Sequence, residues 1–142
     1  MKRQTVYKIL KIAIPVLVLI LCAIPGSYVM RFMAHPDSGV DAYLVPTCYY
    51  DMTIWGYADM GPMLCVVLTA FTLILSAVGS FVEHERLARV TLYISIAAMT
   101  APALTLFMNN LTWIGWLIIA LLAGEVFLLL KNAMELEDKN RK

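Results

Sequence analysis

One acidic residue stands inside an otherwise apolar stretch of this sequence. Glu125 lies within residues 111–130, which contain no other Asp, Glu, Lys or Arg. A carboxylate inside a membrane costs on the order of 2–3 kcal/mol, so such a residue is a functional hypothesis by default. Three interpretations are open: proton or cation coupling, contact with another subunit, or a pair with a basic residue at the membrane edge. Lys8, Lys11 and Arg89 are the candidate partners for such a pair.

A second set of polar and aromatic residues lies in residues 31–62, between the first two apolar runs. Carboxylates there can bind a hard cation, but their spacing matches no calcium loop, and no metal site is predicted. Aromatic residues with few lysines are typical of an interface core, although anchoring at head-group level is the favoured interpretation. The candidate outer-loop interface consists of Tyr49, Tyr50, Asp51, Trp55, Tyr57 and Asp59.

Motifs for catalysis or cofactor binding are not found in the sequence. It has no HExxH pattern, no glycine-rich phosphate loop, no clustered His and no evident nucleophile–base pair. Neither an enzyme activity nor a cofactor is predicted. The net charge of +1, without a basic stripe, argues against nucleic acid as a partner. The three cysteines form no CxxC pair and favour buried, unreactive thiols, with a Cys48–Cys65 bridge as the alternative.

Membrane-spanning helices must position these residues. Of the 142 residues, 61% are hydrophobic and 15% charged, whereas a soluble domain is roughly half apolar and a quarter charged. Four runs reach the roughly 20 apolar residues that cross a bilayer: 12–30, 63–82, 90–108 and 111–130. We predict an all-α polytopic protein with four transmembrane helices in one bundle. We predict that residues 1–142 form a single membrane domain, and that this domain is embedded in the lipid bilayer as its partner.

The distribution of Lys and Arg predicts the orientation. Ten of the eleven lie in the head, in the second connection or in the tail, and only Arg31 lies in the loop 31–62. Because basic residues remain on the cytoplasmic side, we expect both termini in the cytoplasm and the loop outside the cell membrane. The first run lacks a signal-peptidase site and is predicted to remain as an anchor.

Small residues recur every three or four positions along the second and third runs. This spacing lets helices approach closely in lipid and favours packing over a polar transport path, which is the alternative. The predicted helix-packing stripe consists of Cys65, Thr69, Thr72, Ser76, Thr91, Ser95 and Ala98.

Residues 51–57, DMTIWGY, resemble residues 110–116, NLTWIGW, in the same position relative to a following helix. Asp51, Thr53 and Thr112 are suitable N-caps, and Pro62 suits the first turn of a helix. We therefore predict a short interfacial helix over residues 53–60, followed by the second span. The pair Pro25-Gly26 either kinks the first helix or ends it early.

Three motifs carry a resemblance to known proteins: residues 25–32 (PGSYVMRF), residues 49–63 (YYDMTIWGYADMGPM) and the TWIGW of the fourth run. With these motifs the chain resembles uncharacterised four-helix membrane proteins of anaerobic Gram-positive bacteria. The resemblance covers the first two spans and, loosely, the rest. It implies a bacterial cytoplasmic-membrane setting, with no activity attached.

The functional prediction is a non-enzymatic accessory or interaction protein. It would associate as a homo-oligomer or with a larger membrane complex, through the face of Glu125 or through the outer loop. The alternative is a small transporter or channel subunit that uses Glu125.

Overall fold

The chain consists of four helices and one β-hairpin in a computed structural model that describes residues 3–33, 39, 42–51, 60–82, 84–103 and 111–141. The helices are α1 (Arg3–Cys22), α2 (Gly61–Phe81), α3 (Glu85–Ala103) and α4 (Trp113–Arg141). Strands β1 (Tyr28–Met33) and β2 (Ala42–Thr47) pair antiparallel, with Tyr28 opposite Thr47. The prediction of a helical protein is confirmed, whereas the hairpin was not predicted.

Three of the helices are long and apolar enough to cross a membrane: Thr5–Cys22, Gly61–Phe81 and Trp113–Arg141. Helix α3 begins with Glu85, Arg86 and Arg89 in its first five residues, which lowers its hydropathy. The predicted span 90–108 continues past Ala103 into positions outside the described residues. A fourth span therefore stays a prediction.

The first helix ends earlier than the predicted span 12–30. Helix α1 stops at Cys22, and residues 28–30 belong to β1. Pro25 disfavours the helical conformation of the residue before it, and Gly26 adopts a left-handed conformation with φ of 83°. Of the two interpretations of Pro25-Gly26, the early end of the helix is therefore correct.

The other helices agree more closely with their predicted apolar runs. Helix α2 begins at Gly61 with Pro62 in its first turn. Helix α4 begins within the predicted run but continues to Arg141, eleven residues past the predicted boundary at Leu130, because its charged tail remains helical. The predicted interfacial helix 53–60 falls almost entirely on positions outside the described residues.

Neighbouring helices run antiparallel. The main contacts join α1 to α2 and α4, and α3 to α2 and α4, with α2–α3 the most extensive. Lys8 near the start of α1 bonds to Ser80 near the end of α2, and Arg89 near the start of α3 bonds to Glu137 near the end of α4. The end of the molecule that holds these residues is called the basic end, and the opposite end, which carries β1 and β2, is called the hairpin end.

Apolar side chains cover both the inside and the outside of the helices. The larger buried cluster, toward the hairpin end, includes Cys22, Ile118 and Leu122. The smaller cluster, toward the basic end, consists of Ala88, Leu92, Leu129 and Ala133. Phe71, Tyr93 and Phe127 are each more than half exposed. Apolar surface of this extent is characteristic of a lipid-facing or partner-facing exterior.

Candidate functional site

Glu125 is completely buried between the helices. Its side chain has no exposed surface in the single chain. Among the described residues neither carboxylate oxygen finds a hydrogen-bond partner. A buried polar group is normally paired, because an unpaired one retains its full desolvation penalty. Glu125 is therefore energetically unfavourable as placed, which makes it the leading candidate for a functional residue.

A polar residue of α3 lies at the same depth as Glu125. Leu92 of α3 and Leu129 of α4 belong to one buried cluster. Because the two helices are antiparallel, one turn toward the hairpin end leads from Leu92 to Ser95 and from Leu129 to Glu125. The Ser95 hydroxyl is also buried, and no described residue pairs with it.

Helix α2 contributes a hydroxyl at this depth as well. Ser76, Thr91 and Leu129 line one small cavity of about 20 Å³. Thr72 is one turn nearer the hairpin end than Ser76, which brings it to the depth of Glu125. Its hydroxyl donates to the Leu68 carbonyl oxygen at 2.9 Å. Thr72, Ser95 and Glu125 are called the polar layer.

The polar layer separates the two apolar clusters and consists of oxygen-bearing groups. Such groups can hold a proton, a water molecule or a hard cation. Within the described ranges, no three His, Cys, Asp or Glu side chains come together as a metal-binding group. The chemistry available at the layer is therefore that of one carboxyl group with two hydroxyl groups at the same depth.

The predicted pairing of Glu125 with a basic residue is not observed among the described residues. Arg89 binds Glu85 at 2.5 Å and Glu137 at 3.3 Å, both of which lie at the basic end. Lys8 donates to the Ser80 carbonyl oxygen at 3.2 Å. The burial of Glu125 also means that a partner subunit cannot reach its side chain unless the helices separate.

The Glu85–Arg89–Glu137 contacts join α3 to α4 at the basic end. Asn140 donates from its amide to Glu85 at 3.0 Å, and Arg141 bonds to Glu137 at 2.7 Å. The Asn140 hydrogen bond, followed by the nearby Arg89 charge, lowers the pKa of Glu85 below its usual value of 4.5. Because these charged groups are partly exposed at the end of the molecule, each pair contributes little to stability.

All members of the predicted helix-packing stripe are buried. Cys65, Thr69, Thr72 and Ser76 lie on the inner face of α2, and Thr91, Ser95 and Ala98 on that of α3. Small side chains at these positions permit the extensive α2–α3 contact. Thr72 and Thr91 donate to carbonyl oxygens four residues earlier, at 2.9 and 2.8 Å, which satisfies their hydroxyls within their own helices.

The outer-loop candidates separate in the structure. Tyr49 is fully buried and packs edge-to-face against Tyr28, with ring centroids 6.0 Å apart. Tyr50 is 45% exposed, and its hydroxyl donates to the Leu19 carbonyl oxygen at 3.1 Å. Asp51 is half-buried, whereas Trp55, Tyr57 and Asp59 lie outside the described residues. Tyr49 is therefore a core residue, with no surface to offer a partner.

The motifs singled out in the sequence meet at the hairpin end. The Cys22 carbonyl oxygen, at the end of α1, accepts hydrogen bonds from the Tyr49 backbone N–H at 3.0 Å and from the Ser27 hydroxyl at 3.4 Å. Thr112 donates from its hydroxyl to the Ser27 carbonyl oxygen at 2.9 Å. Carbonyls left open at a helix end need such partners. The three motifs therefore build a structural junction.

Thr112 also caps the start of α4. Its hydroxyl accepts the Gly115 backbone N–H at 3.4 Å, as the predicted N-cap requires. A β-carbon at Gly115 would clash with Leu111 and lie 3.3 Å from the Tyr49 hydroxyl oxygen. Glycine lets α4 approach the junction without displacing the Leu111 side chain or the Tyr49 hydroxyl.

The exposed surface of the hairpin is the feature that sequence reasoning missed. Tyr43, Leu44 and Val45 are 52%, 67% and 41% exposed. A strand that lies flat on a core buries alternate residues, so three consecutive exposed side chains mean that this part of β2 projects from the helices. The signal was present in residues 42–47, AYLVPT, which are aromatic and branched but lie within the outer loop.

The cysteines are all described and are free thiols. Cys22 of α1 and Cys65 of α2 are buried and belong to the same apolar cluster. Cys48 is half-buried. The Cys48–Cys65 bridge that the sequence left open is therefore not formed.

No protein family model, curated protein or solved structure matches this chain.

Proposed function

We propose that the chain is a small, non-enzymatic multi-pass membrane protein that acts as an accessory or interaction subunit. Its four helices span the bacterial cytoplasmic membrane as one bundle, with both termini in the cytoplasm. Three helices of sufficient length and hydropathy support this proposal. So does the accumulation of Lys and Arg at the basic end. The bacterial setting rests on the resemblance carried by the sequence motifs.

The projecting part of β2 is the observation that carries the interaction role. Tyr43, Leu44 and Val45 present apolar side chains on both faces of the strand. These residues lie at the hairpin end, outside the predicted spans. An exposed apolar set rimmed by polar surface is typical of a protein–protein contact.

The edge of β2 suits one mode of association. β1 covers one edge of β2, and no other strand pairs with β2 among the described residues. An open edge offers backbone donors and acceptors to an extended segment of a partner. The occupant is a strand of a second copy or of another membrane subunit. Pro46 lacks a backbone N–H and limits the register of that strand.

Leu44→Arg tests this role. The substitution places a charge on a 67% exposed side chain, so folding is retained while a dry contact is disrupted. Met60→Arg is the matched control, because Met60 is also exposed at the same end but precedes α2. We expect Leu44→Arg to abolish the larger species on native gels of mildly solubilised membranes, and Met60→Arg to retain it. A wild-type chain that migrates as a monomer under all such conditions refutes the interaction role.

A second candidate function is a small transporter or channel subunit, and the buried Glu125 favours it. The carboxyl group has no described partner and shares its depth with the Ser95 and Thr72 hydroxyls. A carboxyl inside a membrane domain is characteristic of proton and ion pathways. Binding of a proton or cation would supply the interaction that the resting side chain lacks.

Glu125→Gln distinguishes the two functions. In proteoliposomes, coupling through Glu125 predicts loss of proton- or cation-dependent flux in this variant, with the oligomeric state unchanged. The interaction role predicts that Leu44→Arg changes assembly and that Glu125→Gln does not. Proteoliposomes with no flux above empty vesicles for the wild-type chain exclude the transporter function.

A further inference from the structure

A cleft of about 190 Å³ opens at the basic end. Its walls come from the first turns of α1 and the last turns of α4, and Gly79 of α2 also lines it. The α4 residues recur at helical spacing, so one face of that helix forms the wall. The lining residues are Tyr7, Lys8, Lys11, Gly79, Leu128, Lys131, Asn132, Glu135, Leu136 and Lys139.

The cleft is strongly cationic. Four lysines line it, two from α1 and two from α4, with Glu135 as the one acidic side chain among its described lining residues. Charges from two separate helices converge on one concave surface. Such convergence raises the local positive potential more than scattered surface lysines do.

Hydrogen bonds to neutral oxygens orient two of these ammonium groups. Lys8 donates to the Ser80 carbonyl oxygen at 3.2 Å. Lys131 donates to the Tyr7 hydroxyl at 3.0 Å and lies 5.1 Å from the centroid of the Tyr7 ring. These bonds orient the two ammonium groups. Ordering them in advance reduces the entropy lost when an anion binds.

The depth of the cleft matches the membrane–water boundary. Lys131 directly follows the apolar run that ends at Leu130, so Leu128 lies on the apolar side and Lys139 on the aqueous side. The apolar core of a bilayer is about 30 Å thick, whereas α4 is about 43 Å long at ~1.5 Å per residue. The end of α4 therefore extends into the head-group region.

We propose that this cleft binds an anionic phosphate group. Lysine is a common phosphate ligand, and basic pockets between helices on the cytoplasmic side bind phospholipid head groups. The same chemistry suits a phosphate carried by a soluble molecule. This site is independent of the hairpin contact and of Glu125.

The test uses purified full-length protein in a neutral detergent. The unfolding temperature is measured at increasing concentrations of short-chain phosphatidylglycerol, short-chain phosphatidylcholine or sodium phosphate, with sodium chloride at matched ionic strength. A ligand at free concentration L that binds only the native state stabilises it by RT ln(1 + L/Kd), so the unfolding temperature rises with ligand concentration and with affinity. Apparent dissociation constants follow from these curves.

Lys11→Gln/Lys131→Gln removes one lysine from each wall. Each lysine near an anionic group contributes about a factor of five in affinity, so we expect roughly 25-fold weaker binding. Lys11→Arg/Lys131→Arg retains the charges and keeps binding within roughly threefold of wild type. This variant excludes misfolding as the cause of the loss.

Arg86→Gln/Arg141→Gln is the matched control, because both arginines are exposed at the basic end and neither lines the cleft. Binding of phosphatidylglycerol alone, lost in the glutamine double variant, supports the site with a lipid head group as the source. Binding of sodium phosphate that is likewise lost in the glutamine double variant supports the site, with a soluble molecule as the source of the phosphate. Equal binding of phosphatidylcholine, an equal loss in the control, or no binding by either anion refutes the proposal.

Discussion

Replacing Glu125 with leucine removes a carboxyl group from the polar layer while keeping a side chain of similar volume on α4. Glu125 has no exposed surface, and neither oxygen has a described partner. Its neighbours one turn away on the same face, Leu122 and Leu129, are buried apolar residues. Leucine at position 125 would join the two apolar clusters into one.

The magnitude follows from the cost of the unpaired group. Insertion scales assign about 2.5–3.5 kcal/mol to an ionisable residue at the centre of a membrane helix. Glu125 lies six residues from Lys131, roughly 9 Å from the basic end of the apolar run, so the cost is smaller there. We expect Glu125→Leu to raise the free energy of unfolding by about 1–3 kcal/mol, and Glu125→Gln to change it by less than about 1 kcal/mol.

The assay is reversible unfolding in mixed micelles with increasing denaturing detergent, followed by tryptophan fluorescence. Glu137→Leu serves as the control, because Glu137 lies on the same helix and binds Arg89 and Arg141. The free energy of unfolding of this control variant is expected to fall by up to about 1 kcal/mol. If Glu125→Leu instead lowers stability by more than about 1 kcal/mol, the carboxyl group has a stabilising partner, and the case for Glu125 as a stability-costing functional residue fails.

Three further predictions concern the two ends of the molecule. Gly115→Ala is expected to destabilise the protein by about 1–2 kcal/mol through overpacking. Gly124→Ala, where a β-carbon meets nothing within 4 Å, is expected to stabilise it by up to about 1 kcal/mol. Thermal unfolding of the two variants measures both effects, and equal effects would contradict the close approach at Gly115. Thr112→Ala loses the N-cap and is expected to cost about 1 kcal/mol in the same assay, with the exposed Thr100→Ala as a control that changes little. Because the pKa of Glu85 is lowered in the folded protein, its stabilising contribution is present above its usual pKa of 4.5 and is lost as the pH falls through the lowered value. The free energy of unfolding, measured at decreasing pH, should therefore fall less in Glu85→Gln than in the wild-type protein. Identical pH profiles of the two proteins would contradict this linkage.

The helical part of the fold was predictable because lipid imposes a simple pattern on a sequence. Apolar runs of sufficient length identified the helices, and the spacing of Thr69, Thr72 and Ser76 placed the inner face of α2 without any tertiary information. Thr112 was recognisable as an N-cap from its type and position. These signals are local, so a single sequence contains them.

The hairpin was missed because its first strand continues an apolar run. Residues 28–30, YVM, complete the uncharged run 12–30, and hydropathy alone does not separate a buried strand from a membrane helix. Pro25-Gly26 was the available signal for the boundary. Tyr49 was assigned to a surface for a related reason: an aromatic residue in a loop has the same sequence pattern whether it faces the core or a partner.

The polar layer and the basic cleft depend on the register between helices. Glu125 was identifiable as the lone charge of its run, but the equal depth of Ser95 follows only from the antiparallel packing of α3 and α4. Likewise, Lys11 and Lys131 are separated by most of the chain and meet only in the folded protein. Sequence patterns within one helix do not contain this information.

The bond between the Thr112 hydroxyl and the Ser27 carbonyl oxygen has a consequence for biogenesis. It connects the exit of the first helix to the entry of the last, across 85 positions of the chain. A ribosome delivers these segments in order, so the junction at the hairpin end stays open until α4 has been synthesised. Shortened products that stop before α4 lack the Thr112 donor, so their hairpin end remains open and is expected to be cleaved more readily by proteases.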